Sequence, residues 1–142
     1  MSKSHHLTGN YFVRATDLAL AEVYGMFHRI SDVAEIRRHA LKLRDWPSPR
    51  TEEPSGQVVD LDWSMIRALS GLDIGELRVH DTIGGMDNLR IIFFVGPLSP
   101  RFPMTCIWVL YVFQKKRDDF TSTQLNAFKL RRLRVLSHFY GG

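Results

Sequence analysis

Residues 71–96, GLDIGELRVHDTIGGMDNLRIIFFVG, change the repeat of the chain from helical to two. Ile74–His80 alternates, placing Leu77 and Val79 on one side and Glu76, Arg78 and His80 on the other. Asp81–Asn88 carries Gly84-Gly85 and reads as a hairpin turn. Leu89–Gly96 is a second strand, in which Leu89, Ile91, Phe93 and Val95 oppose Arg90, Ile92 and Phe94. Beyond the proline-rich turn Pro97–Pro103, Met104–Gln114 predicts a third strand, apolar on both faces and therefore central and covered on both sides. The expectation is an antiparallel meander of three or four strands.

Upstream, Gly9–Arg14 (GNYFVR) predicts a short strand. Leu18, Leu20, Val23, Tyr24, Phe27 and Ile30 then recur at helical spacing, predicting a helix over 16–29 capped by Thr16 or Asp17. Ser31 or Asp32 caps a second helix, with Val33, Ile36, Ala40, Leu41 and Leu43 as its apolar stripe and Arg37, Arg38, Lys42 and Arg44 outward. The two form an antiparallel helical hairpin. Trp46–Gly56 holds three prolines and reads as a loop, and Leu61–Leu69 as a short helical turn.

Downstream, Thr121 or Ser122 caps a last helix reaching Phe139. Leu125, Phe128, Val135, Leu136 and Phe139 make its apolar face. Arg132 projects from the middle of that face, either snorkelling or pointing into a cationic patch, while Arg131 and Arg134 fall on the solvated side. The fold class is α+β: an N-terminal strand and helical hairpin, the meander, then a basic helix.

At 142 residues, 44% hydrophobic and 24% charged, the chain reads as a single domain over 1–142, with residues 1–9 expected to be disordered. Its longest apolar runs, Ile91–Val95 and Cys106–Phe113, fall far short of the roughly 20 residues that span a bilayer, so no membrane partner is expected. The absence of an apolar leader and the single cysteine suit a reducing, cytoplasmic setting. The six histidines show no metal-ligand spacing, Cys106 lies in an apolar strand, and no glycine loop precedes a helix; neither metal nor cofactor is expected.

The net charge of +4 is unevenly placed. Residues 1–75 hold nine Lys/Arg and ten Asp/Glu, whereas residues 76–142 hold ten and five. Such a basic second half is either a solvated face or a surface for a polyanion. Neighbouring strands lie about 4.8 Å apart, so Arg78 and Arg90 meet on one face. Two guanidiniums there repel unless a carboxylate, Glu76 or Asp81, or a bound phosphate neutralises them. Lys115-Lys116-Arg117 is a solvated strand end or part of the same patch. Tyr111 and Phe113, on the face of Lys115, are core residues or a stacking surface for a base.

LSGLDIGELRV (69–79), LRIIFFVG (89–96) and CIWVLYVFQKK (106–116), followed by a basic helix, resemble in order and spacing the RelE/ParE superfamily of type II toxin–antitoxin toxins, above all its HigB-like, phage-derived branch. The resemblance covers residues 61–140; upstream it is architectural. It implies a ribosome-dependent mRNA endoribonuclease that needs no metal: the ribose 2′-OH attacks the adjacent phosphate and leaves a 2′,3′-cyclic phosphate. By matching position, Arg78 and Arg90 stabilise the phosphate, and Lys115 and Lys116 position or polarise the RNA, one of them as general acid or base. Tyr111 completes the catalytic set at the place of a family histidine, although a phenol is a poorer base at neutral pH. His80, on the Arg78 face, is an exposed strand histidine or a substitute for that base. It joins Arg117, Lys129 and Arg132 as an expected RNA contact. The implied partners are mRNA, the ribosome and a helix-turn-helix antitoxin, in a homodimer or toxin–antitoxin hetero-oligomer. Two alternatives are a ParE-like poison of DNA gyrase and a degenerate module that only binds RNA or protein.

Overall fold

The computed structural model describes residues 11–101 and 105–141. The segment 1–9 expected to be disordered, the first two residues of the strand expected over 9–14, and Met104, the expected first residue of the third strand, lie outside the described residues. Among the described residues seven strands and three α-helices follow one another: β1 (Phe12–Ala15), α1 (Asp17–Met26), α2 (Ile30–Leu41), β2 (Arg50–Glu52), β3 (Val58–Asp60), β4 (Trp63–Met65), β5 (Ile74–Val79), β6 (Leu89–Val95), β7 (Cys106–Gln114) and α3 (Ser122–Phe139). The fold is mixed α+β.

The meander forms as its alternation dictates. β5, β6 and β7 pair antiparallel, and β4 extends them to four strands by pairing with β5. β1 lies on the far side of β7 and runs parallel to it, giving the order β1-β7-β6-β5-β4. Thr16 caps α1 through its hydroxyl, which accepts from the Ala19 amide at 3.2 Å. Thr121 and Gln124 form a reciprocal capping box at the start of α3.

The sheet is covered on both faces, so β7 is buried on both, as its composition demands. Val23, Phe27 and Ile36 from α1, α2 and their link pack on Leu77, Ile91, Val109 and Val112. On the opposite face Phe128 and Val135 of α3 pack on Ile74, Ile92, Phe94, Trp108 and Leu110. The Trp108 indole donates to the Tyr140 hydroxyl at 2.9 Å and lies 4.5 Å from the Phe139 ring, which ties the end of α3 to the sheet.

Three expectations change. The loop expected over Trp46–Gly56 contains β2, which pairs with β3 as a separate hairpin; Gly56 takes φ 87° in its turn, a conformation glycine adopts without a Cβ clash. The helical turn expected over Leu61–Leu69 holds β4 and then only a short 3-10 turn, because Trp63, Ser64 and Met65 find pairing partners in Leu77, Glu76 and Gly75. The second helix is capped at Arg29, two residues before Ser31, and the Arg29 side chain makes no cap hydrogen bond.

Strand β7 also contains a bulge that alternation does not reveal. Phe93 pairs with Val109 but Ile92 pairs with Tyr111, leaving Leu110 as the extra residue. The bulge moves the downstream side chains of β7 to the other face. Tyr111 and Phe113 therefore stand beside Ile92 and Arg90, on the face that α3 covers.

Gly75 is a second local constraint. It pairs with Phe93, and an added Cβ would lie 2.4 Å from that ring. Gly75→Ala is expected to lower the unfolding free energy by about 1–3 kcal/mol in urea denaturation. Gly25→Ala, where an added Cβ meets nothing within 4 Å in α1, is expected to raise it by up to about 1 kcal/mol.

Candidate functional site

The register of β5 and β6 sets Arg78 directly opposite Arg90. Beyond the bulge, Arg90 pairs with Phe113, and the Lys115 amide donates to the Asn88 carbonyl at 2.9 Å, which carries the pairing past the end of β7. Arg78, Arg90 and Lys115 thus converge at one end of the sheet, where α3 has not yet begun.

Repulsion among them is met by one carboxylate. Glu76, buried on β5, sets Oε1 at 3.4 Å from Arg78, while its Oε2 lies 3.2 Å from Arg90 Nε and 3.9 Å from Lys115 Nζ. The Glu76–Arg90 approach is an ion contact without hydrogen-bond alignment, and both atoms are buried with no hydrogen-bond partner. Arg78 also donates to Asp62 Oδ1 at 3.1 Å and to Ser64 Oγ at 2.9 Å. Arg90 donates to Asn88 Oδ1 at 2.8 Å, and the Lys115 ammonium lies 4.4 Å from the centre of the Phe120 ring. Of the two carboxylates expected to face Arg78, Asp81 goes elsewhere.

These side chains border an open, mainly polar cleft of about 560 Å³, whose walls include Arg78, His80, Arg90, Gln114, Lys115 and Lys116. Five of the nine expected site residues are brought together there. Lys116 is exposed, and no ion pair holds it among the described residues. Arg117 is exposed just beyond it. Tyr111 is not a wall of the cleft: its ring lies beneath the Arg131 guanidinium at 3.9 Å and meets Phe113 and Phe128 edge-on. Phe113 likewise joins Phe120 and Phe128, so the aromatic pair is mainly core.

The last helix contributes less than its basicity suggests. Lys129 is exposed, away from the cleft walls. Arg132 donates from Nε to the Leu72 carbonyl at 2.8 Å and lies over Phe94, at the start of β5 rather than its Arg78 end. Arg131 is not on the solvated side: it forms two bonds to the Glu22 carboxylate, at 2.7 and 2.6 Å, and one to the Leu110 carbonyl at 2.8 Å. This contact locks α3 to α1 at the bulge. Asp62, Ser64 and Glu22 were invisible as site neighbours, because the short strand β4 and a partner 109 residues away leave no local pattern.

A second polar cluster anchors the start of the β5–β6 turn. The buried His39 lies 3.0 Å from Asp81 and 3.5 Å from Glu35. This Glu35–His39–Asp81 group has the spacing of a metal site. Its centre, however, is taken by Arg38, whose Nη2 stands 2.5 Å from Glu35 and 3.3 Å from Asp81 and His39. Lys42 adds a second cation, 3.0 Å from His39 Nδ1. The donor set is an ion-pair lattice already supplied with its own cations.

No protein-family model, curated protein or solved structure matches this chain. Among the described residues, no helix is long and apolar enough to cross a membrane.

Two predictions follow from these charges. Glu76→Gln leaves three cations without their shared buried counter-ion and is expected to destabilise the fold by about 3 kcal/mol in urea denaturation; a loss below about 1 kcal/mol would refute that role. Burial, then Lys42 and Arg38, pushes the His39 imidazole below its ordinary 6.5. The unfolded chain therefore takes up this proton first, so the contribution is complete above the ordinary value and is lost as pH falls below it. His39→Gln is expected to flatten the decline in melting temperature between about pH 7 and pH 5.

Proposed function

We propose that this chain is the toxin of a type II toxin–antitoxin pair, of the HigB-like branch of the RelE/ParE superfamily, and that it cuts translated mRNA. The observation that carries this reading is the register pair Arg78–Arg90, opening with Lys115 and Lys116 onto one polar cleft. The element order also supports it: an N-terminal strand, two helices, an antiparallel meander and a last helix are what the resemblance implies.

The chemistry suits the groups. Attack of the ribose 2′-OH on the neighbouring phosphate builds negative charge on the phosphorane, and preorganised guanidiniums in a partly desolvated cleft stabilise that charge more than the ground state. Arg78 and Arg90 do this. Lys115, held by Phe120 and Glu76, orients the phosphate, and the exposed Lys116 draws in the flanking backbone. Tyr111, turned under Arg131, acts as part of the aromatic core beside the cleft rather than as a base. RNA and the ribosome are the partners, with a helix-turn-helix antitoxin as the neutralising protein.

In an in vitro translation reaction with mapped RNA ends, the wild-type chain is expected to leave 2′,3′-cyclic phosphates. Arg90→Ala should slow cleavage by about 100-fold or more. Lys116→Ala, at an exposed position, should weaken cleavage while leaving the unfolding free energy within about 0.5 kcal/mol of wild type. Intact transcripts accompanied by DNA breaks in expressing cells would instead favour gyrase as the target.

A further inference from the structure

Asp62, immediately before β4, is forked between two residues of β5. Its Oδ1 accepts from Arg78 at 3.1 Å, and its Oδ2 lies 2.7 Å from His80 Nε2. The backbone repeats the tie, since the Arg78 amide donates to the Asp62 carbonyl at 2.8 Å. A carboxylate oxygen only accepts, so this contact places a proton on His80 Nε2 and leaves the Nδ1 lone pair of the neutral ring available. Among the described residues, no hydrogen bond engages Nδ1, and the ring, 72% exposed, forms part of the cleft wall next to Arg78.

Resting on the RNA-cleavage reading above, we infer that His80, oriented by Asp62, is the proton acceptor for the 2′-OH. The same carboxylate then aligns both halves of the reaction centre: the guanidinium that binds the phosphate and the imidazole beside it. In this step the 2′-O–H proton passes to His80 Nδ1 and the freed electron pair forms the 2′-O–P bond. The P–O5′ bond breaks, and the departing 5′ oxygen takes a proton from water. The products are a 2′,3′-cyclic phosphate and a 5′-hydroxyl end. His80 is the catalytic residue and Asp62 a positioning residue. The ring contacts Asp62 and shares the cleft with the charged groups Arg78, Asp87, Arg90, Lys115 and Lys116. An exposed pair of this kind adds little to stability, so its removal leaves the fold intact.

The test is single-turnover cleavage of a defined mRNA on programmed ribosomes by wild type, His80→Gln and Asp62→Asn across pH. Binding of a 2′-deoxy-substituted RNA oligonucleotide and the ¹⁵N shifts of the imidazole are measured in parallel. His80→Gln should lose about 100-fold in rate and lose the acid limb of the pH–rate profile, a loss far larger than its change in oligonucleotide affinity. Asp62→Asn should lower the rate constant without raising KM and remove the preference for the Nε2-protonated tautomer seen in wild type. A His80→Gln chain that cleaves within about threefold of wild type and keeps the acid limb overturns the assignment of the base and leaves the RNA-cleavage reading standing. A wild-type chain that leaves the ribosome-bound mRNA intact overturns that reading and this inference together.

Discussion

The carboxylate of Glu76 holds together an arrangement that electrostatics alone would disperse. Antiparallel pairing puts Arg78 and Arg90 directly opposite one another, and the end of β7 adds Lys115 to the same face. Three cations on adjacent strands repel, and desolvation under Phe113 and Phe120 would raise that penalty. Glu76 reaches all three and is itself buried, so the meander carries their shared counter-ion inside it. The neutralisation is incomplete in geometry, because the Glu76–Arg90 contact lacks hydrogen-bond alignment.

The rest of the architecture decides which face these cations occupy and keeps that end open. The extra residue at Leu110 turns Tyr111 and Phe113 onto the face that carries Arg90. Arg131 clamps the bulge, bonding to the Leu110 carbonyl and reaching across to Glu22 of α1. The aromatic cluster of Tyr111, Phe113, Phe120 and Phe128 fills the space between bulge and cleft. α3 covers the sheet from Trp108 to this cluster and leaves the arginine end uncovered. On the other side, the His39 lattice holds Asp81 at the start of the β5–β6 turn, while Asn88 at its far end bonds to Arg90 and to the Lys115 carbonyl.

Much of this was legible from local pattern. Strict alternation bounded by Gly71 and by Gly84-Gly85 located β5 and β6, and with them the facing of Arg78 and Arg90. The apolar length of β7 announced a central strand, and Thr121 marked the start of α3. What escaped was tertiary. Three residues of β4 have no periodicity to read, so Asp62 and Ser64 could not be placed beside Arg78. A bulge is a pairing irregularity between strands, and Leu110 differs in no visible way from its neighbours. Arg131 looked solvated on a helical wheel because its partner, Glu22, belongs to a helix at the other end of the chain.

On the proposed reading, RNA binds at the Arg78–Arg90 end of the sheet rather than at another basic surface among the described residues. Another exists: Arg14 lies over Trp108 and Phe139 in a groove shared with Arg134 and His138. Amide and side-chain NMR shifts recorded while a single-stranded RNA oligonucleotide is titrated in near-physiological salt distinguish the two most directly. Binding at the arginine end gives saturable changes centred on Arg78, Arg90, Lys115 and Lys116, with the Glu76 neighbourhood moving in step. Changes centred on Arg14 and Arg134, or none that saturate, would contradict it.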